Sequence, residues 1–186
     1  GGQVMTGHNH GGMDMGGSIS QKVDEKKTTT KISKTMSVDK QAKEALQPLY
    51  DFYLKWKDAL TNDDFAQAQK SAINMKSVLD KINMSLFKGD AHNAWMEYQG
   101  SLSKSLEHIQ HLSDIEQLRK AFQSVSVTMI DMTSAFTPLG KTIYVQHCPM
   151  ANNNKGADWL STFKEIRNPY FGSSMLTCGE VTKEIK

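Results

Sequence analysis

Ser113-Asp114-Ile115-Glu116-Gln117-Leu118-Arg119-Lys120-Ala121-Phe122-Gln123-Ser124-Val125-Ser126-Val127-Thr128-Met129-Ile130-Asp131-Met132-Thr133-Ser134-Ala135-Phe136 is the stretch whose reading decides the fold. Its apolar residues Ile115, Leu118, Phe122, Val125, Met129, Met132 and Phe136 step by three and four, which places them on one stripe of an α-helix. Ser113 with Glu116 three residues later reads as a capping box at its start. Thr137-Pro138-Leu139-Gly140 stops it.

The same period recurs three times upstream. Ala91, Trp95, Tyr98, Leu102, Leu106, Ile109 and Leu112 predict a helix after the turn Lys88-Gly89-Asp90. Phe65, Ala68, Ala72, Met75, Leu79, Ile82 and Leu86 predict another. Ala42, Ala45, Leu46, Leu49, Phe52, Tyr53, Trp56 and Leu60 predict the first, with Ser37 as its N-cap and a kink or break at Pro48. Short turns between four amphipathic helices make sequential helices neighbours. The expected fold is therefore all-α, an antiparallel up-down four-helix bundle.

Downstream of Gly140 the period changes. Residues 142–147 are β-branched and aromatic and predict a short strand. Residues 148–180 read as a loop-rich, irregular C-terminal cap, with a short helix near Ala157 to Leu160 and turns at Asn152-Asn153-Asn154-Lys155-Gly156 and Asn168-Pro169. A loop of this length is uncommon in a compact domain unless it is functional or stapled. Residues 37–186 are expected to form one domain. Residues 1–36, low in hydrophobicity and without a period, are expected to form a flexible arm and linker.

Of the 186 residues, 38% are hydrophobic and 23% charged, which is ordinary for one globular domain. A net charge of +2 offers no electrostatic case for a nucleic-acid partner. No stretch approaches the roughly 18 apolar residues of a spanning helix. The chain opens Gly1-Gly2-Gln3 without an initiator methionine, and a removed export signal or lipid anchor is the expectation. No Gly-rich phosphate loop, Gly-x-Ser-x-Gly or His-Glu-x-x-His is present, so the expectation is a protein that is not an enzyme.

Sulfur and imidazole are the informative chemistry. The arm carries Met5, His8, His10, Met13 and Met15 among glycines, and such a segment can wrap a soft ion. Thioether and imidazole suit Cu(I) or Ag(I), and the imidazoles extend that set to Cu(II) or Zn. The two cysteines of the chain, Cys148 and Cys178, each have a methionine close by, Met150 and Met175. Two thiolates with one or two thioethers make a Cu(I) site. The same two cysteines could instead form a disulfide that ties down the long loop, worth on the order of 3 kcal/mol. His108 and His111, three apart, and His147, beside Cys148, are further candidate ligands. Met129 and Met132 on the helical seam read as core.

Tyr144-Val145-Gln146-His147-Cys148-Pro149-Met150-Ala151, Ala157-Asp158-Trp159-Leu160-Ser161, Ile166-Arg167-Asn168-Pro169-Tyr170-Phe171-Gly172 and Met175-Leu176-Thr177-Cys178-Gly179 together resemble one family. It is an exported domain of formerly unknown function from Bacteroidetes, found alone or fused to CusB-like periplasmic adaptors of copper and silver efflux pumps. The resemblance covers roughly residues 40 to 180 and includes His108, His111 and the 117–122 stretch. Cys148-Pro149-Met150 also resembles the short heavy-metal segment of such adaptors, although here His147 precedes the cysteine and no histidine follows the methionine. The resemblance implies a periplasmic or outer-envelope protein that handles Cu(I) or Ag(I), as a metallochaperone or an accessory to efflux and resistance. The alternative is a structural module that docks an efflux adaptor through a disulfide-stapled C-terminal loop.

Overall fold

The computed structural model describes residues 34–186, and the candidate ligands Met5, His8, His10, Met13 and Met15 lie outside the described residues. The described chain is mostly helical, with a small antiparallel sheet at its C-terminal end. The all-α expectation is thereby corrected. Four long helices, α1 (Lys40–Thr61), α2 (Phe65–Leu79), α3 (Asp90–Leu106) and α4 (Ile115–Phe136), precede three strands, β1 (Ile143–Cys148), β2 (Ala157–Ser161) and β3 (Glu180–Ile185).

The helical stripes are buried where the spacing puts them. Leu46, Trp56, Met75, Leu79, Trp95, Leu106, Phe122, Met129, Met132 and Phe136 all belong to one core. Consecutive helices pack on one another, α1 and α2 also touch α4, and β2 lies against α4. Two buried tyrosine hydroxyls fasten α1 to α4, Tyr50 to Thr133 at 2.7 Å and Tyr53 to Ser126 at 2.8 Å. The Tyr53 hydroxyl also accepts the Leu160 backbone N–H at 3.0 Å, so one phenol joins α1, α4 and β2. Burial raises the pKa of both phenols, which keeps them neutral donors.

Helix ends differ from the pattern for local reasons. Helix α1 starts after Asp39 rather than Ser37, and it continues through Pro48 without a break. Helix α2 ends at Leu79. A tight turn and the Asn83 side chain, which accepts the Ser85 N–H, start a separate 3-10 turn at Met84–Leu86. Helix α3 stops at Leu106 because its continuation is a 3-10 turn, Ile109–His111. The Gln69 side chain on α2 donates to the carbonyls of Ile109 at 3.2 Å and Leu112 at 2.8 Å there. The cap of α4 sits one residue later than the pattern implies. The Asp114 carboxylate accepts the Gln117 N–H, while the Gln117 side chain accepts the Ser113 N–H.

The sheet order is β2-β1-β3, with both pairs antiparallel. Strand β1 confirms the extended reading of 142–147, displaced by one residue. Residues 157–161 are strand β2 and not a short helix. A five-residue helix has too few internal hydrogen bonds to persist, whereas β1 offers a full ladder from Cys148↔Ala157 to Tyr144↔Ser161. The β1–β2 connection bends through Asn152, Asn153 and Asn154, with φ of 54°, 55° and 62°. Asparagine is the non-glycine residue that tolerates such left-handed geometry best.

Residues 162–179 are held by side chains. The buried Gln146 amide donates toward three successive carbonyls, Phe163 at 2.9 Å, Lys164 at 3.2 Å and Glu165 at 3.1 Å. Arg119 on α4 is buried and donates to the Pro169 carbonyl at 3.0 Å, the Leu60 carbonyl at 3.3 Å, Asp63 at 2.6 Å and Glu116 at 2.6 Å. One guanidinium thus ties the α1–α2 turn, α4 and the C-terminal segment together.

Candidate functional site

Cys148 closes β1 and is fully buried, and Cys178 lies just before β3 and is half-buried. Thirty residues apart in sequence, their sulfurs lie 3.8 Å apart. Three local devices set this approach. The Cys178 N–H donates to the Met175 carbonyl at 3.1 Å, a tight turn that also draws Met175 close in the chain. The side chain of buried Asn168 donates to the Cys178 carbonyl at 2.8 Å and accepts the Tyr170 N–H at 2.8 Å. Gly179, with φ of 145°, lets the chain pass against β1. A Cβ there would lie 2.7 Å from the His147 carbonyl and 3.1 Å from the Trp159 ring.

Aromatic side chains close the surroundings. Trp159 is fully buried, and its ring meets Tyr170 edge-on at 5.8 Å. Tyr170 donates to the Asp158 carbonyl at 2.6 Å and packs near Phe122 of α4. The thiol of Cys178 is held above its ordinary pKa, first by desolvation and then by its contact with the Cys148 sulfur. A protonated thiol is a poor nucleophile and a latent ligand.

The remaining candidate ligands are placed as follows. Met150 lies in the turn after β1 and is half-exposed, because the strand ends at Cys148 and the alternation that would put both on one face does not continue. His147 and Cys148 are adjacent on a strand, so their side chains leave on opposite faces. His147 Nδ1 lies 2.7 Å from Asp158 Oδ1 across the β1–β2 pair. Gly156 leaves room for that imidazole, since a Cβ there would lie 2.5 Å from its Cε1. His108 and His111 flank and end the 3-10 turn after α3 and are exposed. His108 lies 3.9 Å from Glu107, and His111 Nε2 is 3.0 Å from the Gln110 amide. Met129 and Met132 are core residues, as their seam positions implied.

Among the described residues, no three His, Cys, Asp or Glu side chains come together, and methionine thioethers stand outside that set. The pair of thiols brings together two side chains that are 30 residues apart in sequence. Asn168, whose side chain bonds to the Cys178 carbonyl, reads in the sequence as part of a turn. The Asn-Pro dipeptide is the one signal in the sequence for that role.

A family model described as "Protein of unknown function (DUF3347)" matches residues 49–141, half of the chain. The chain belongs to that family. The matched region runs from within α1 to the turn after α4, so it contains His108 and His111 but neither cysteine. No curated protein and no solved structure matches the chain.

Proposed function

We propose that this protein binds Cu(I) or Ag(I) in the cell envelope, as a metallochaperone or as an accessory to CusB-type efflux and resistance. The observation that carries the reading is the approach of the Cys148 and Cys178 sulfurs to 3.8 Å under an aromatic cover. Soft ions prefer thiolate and thioether, and Met175, three residues before Cys178, shares its turn. The four long helices are read as an antiparallel up-down bundle that carries this cap. The Met/His arm captures the ion loosely, the folded site holds it by sulfur, and ligand exchange passes it on to a periplasmic adaptor.

Ag(I) titration of the full chain tests this. Cys148→Ser and Cys178→Ser should each remove the tightest equivalent of bound silver and leave the weak arm equivalents in place. Unchanged stoichiometry and affinity in both variants would sink the folded site. The same sulfur separation favours a second reading, a disulfide-stapled docking module, in which an oxidant such as molecular oxygen takes two electrons and two protons from the thiols and the sulfurs close to a disulfide's roughly 2.05 Å. In that case oxidised chain takes up no silver beyond the arm, and reduction creates no new site.

A further inference from the structure

A second polar cleft lies away from the thiols, between the end of α1 and the 161–167 segment, with a volume of about 410 Å3. At its wall is Lys57, whose side chain is only 5% exposed. A buried ammonium is costly unless an anion compensates it. Among the described residues its ion-pair partner is the neighbouring Asp58, at 2.9 Å. The Asp58 side chain is 60% exposed, so water screens its charge and weakens the compensation. Lysine carries three N–H donors, and one carboxylate oxygen does not use them all.

The opposite wall adds complementary groups. Arg167 reaches across the cleft to donate to the Asn62 side-chain carbonyl at 3.2 Å, which leaves most of its five donors for other acceptors. Phe163 lines the same cleft and is 70% exposed, the most exposed large apolar side chain among the described residues. Its backbone is not loose. The Phe163 N–H donates to the Ser161 hydroxyl at 3.1 Å, and its carbonyl accepts from Gln146 at 2.9 Å. A phenyl ring held out on a pinned loop, beside a buried ammonium and a guanidinium, is an arrangement of binding groups. Glu165 also lines the cleft.

We infer that this cleft binds a carboxylate that carries an adjacent apolar group, with Lys57 and Arg167 taking the carboxylate and Phe163 covering the apolar part. Two sources share that chemistry, a free α-amino acid and the C-terminal end of a peptide. Asp58 and Glu165 would receive the ammonium of the free amino acid.

The test uses the full chain and backbone-amide NMR, with N-acetyl-L-phenylalanine, its C-terminal amide and free L-phenylalanine as probes. The acid should give saturable shifts confined to residues around Lys57, Asn62, Phe163 and Arg167. The amide should bind at least about tenfold more weakly, the ratio that corresponds to roughly 1.4 kcal/mol. Whichever of the acetylated and free acids binds more tightly identifies the source. Lys57→Met should abolish the preference for acid over amide. Arg167→Gln, at an exposed position, should weaken the acid several-fold with no change in unfolding midpoint, so the proposal stands or falls even if the Lys57 variant does not fold. Equal binding of acid and amide, absence of saturable shifts, or an Arg167 variant that binds the acid unchanged would overturn it. None of these outcomes depends on metal binding at the thiols.

Discussion

The Cys178 thiol sits above its ordinary pKa because the cap desolvates it and the Cys148 sulfur lies against it. At neutral pH the thiol therefore keeps its proton, and a metal must displace it. The sign follows directly: protons compete with the ion, so affinity for Ag(I) rises with pH until the thiol's raised pKa is passed. Competition titrations at several pH values should show this rise in the unmodified chain, with proton release on binding. In Cys178→Ser the pH dependence should shrink. A flat profile in the unmodified chain would mean that the thiol is not a ligand. The same residue shows what could be read in advance. Cys148, Met175 and Cys178 were legible as a sulfur set from composition alone. The 3.8 Å approach was not, because it depends on Asn168, Gly179 and a turn that joins chemically ordinary residues. His147 was legible as a candidate ligand, but its pairing with Asp158 required the β1–β2 register.

At the scale of elements, the C-terminal segment is held to the helices by one buried cation. Asp63, at φ of 57° in the α1–α2 turn, takes the Arg119 guanidinium and both the N–H and the hydroxyl of Ser173. Those Ser173 bonds, then Arg119, hold its carboxyl below the usual carboxylate range. A lowered folded pKa gives stability that is present above the ordinary value of 3.8 and lost as pH falls through the folded value. The unfolding midpoint of the unmodified chain should therefore exceed that of Asp63→Asn at neutral pH, and the gap should shrink as pH falls below the ordinary value of 3.8 and through the lowered folded value. Removing the cation is more severe. Arg119→Leu strands the Leu60 and Pro169 carbonyls and two carboxylates, and should cost roughly 3 kcal/mol in urea unfolding. Gly172→Ala tests the same joint from the other side. Gly172 has φ of 55°, and a Cβ there would lie 2.0 Å from Asp63 Oδ1, so about 2 kcal/mol or more of destabilisation is expected. The four helices were visible in the sequence because a three-and-four period survives without knowledge of any partner. Strand β2 was not, since five residues carry no period of their own and acquire their conformation from β1. The ends of α2 and α3 were likewise set by groups distant in sequence, such as Gln69.

For the whole molecule, the helices supply a core of large buried side chains, and the sheet and its following segment lie on α4 and the end of α1. No helix among the described residues is long and apolar enough to cross a membrane. The family match covers the helical half, and the thiols lie beyond it. Under the proposed function the helical half is the scaffold and the cap would carry the metal chemistry. The most direct measurement is a thiol count on the reduced full chain under anaerobic conditions, before and after Cu(I) is added in excess of what the arm takes up. Two thiols should react without metal, Cys178 first, and none once copper is bound. Two thiols that stay fully reactive at saturating Cu(I) would rule out the folded copper site.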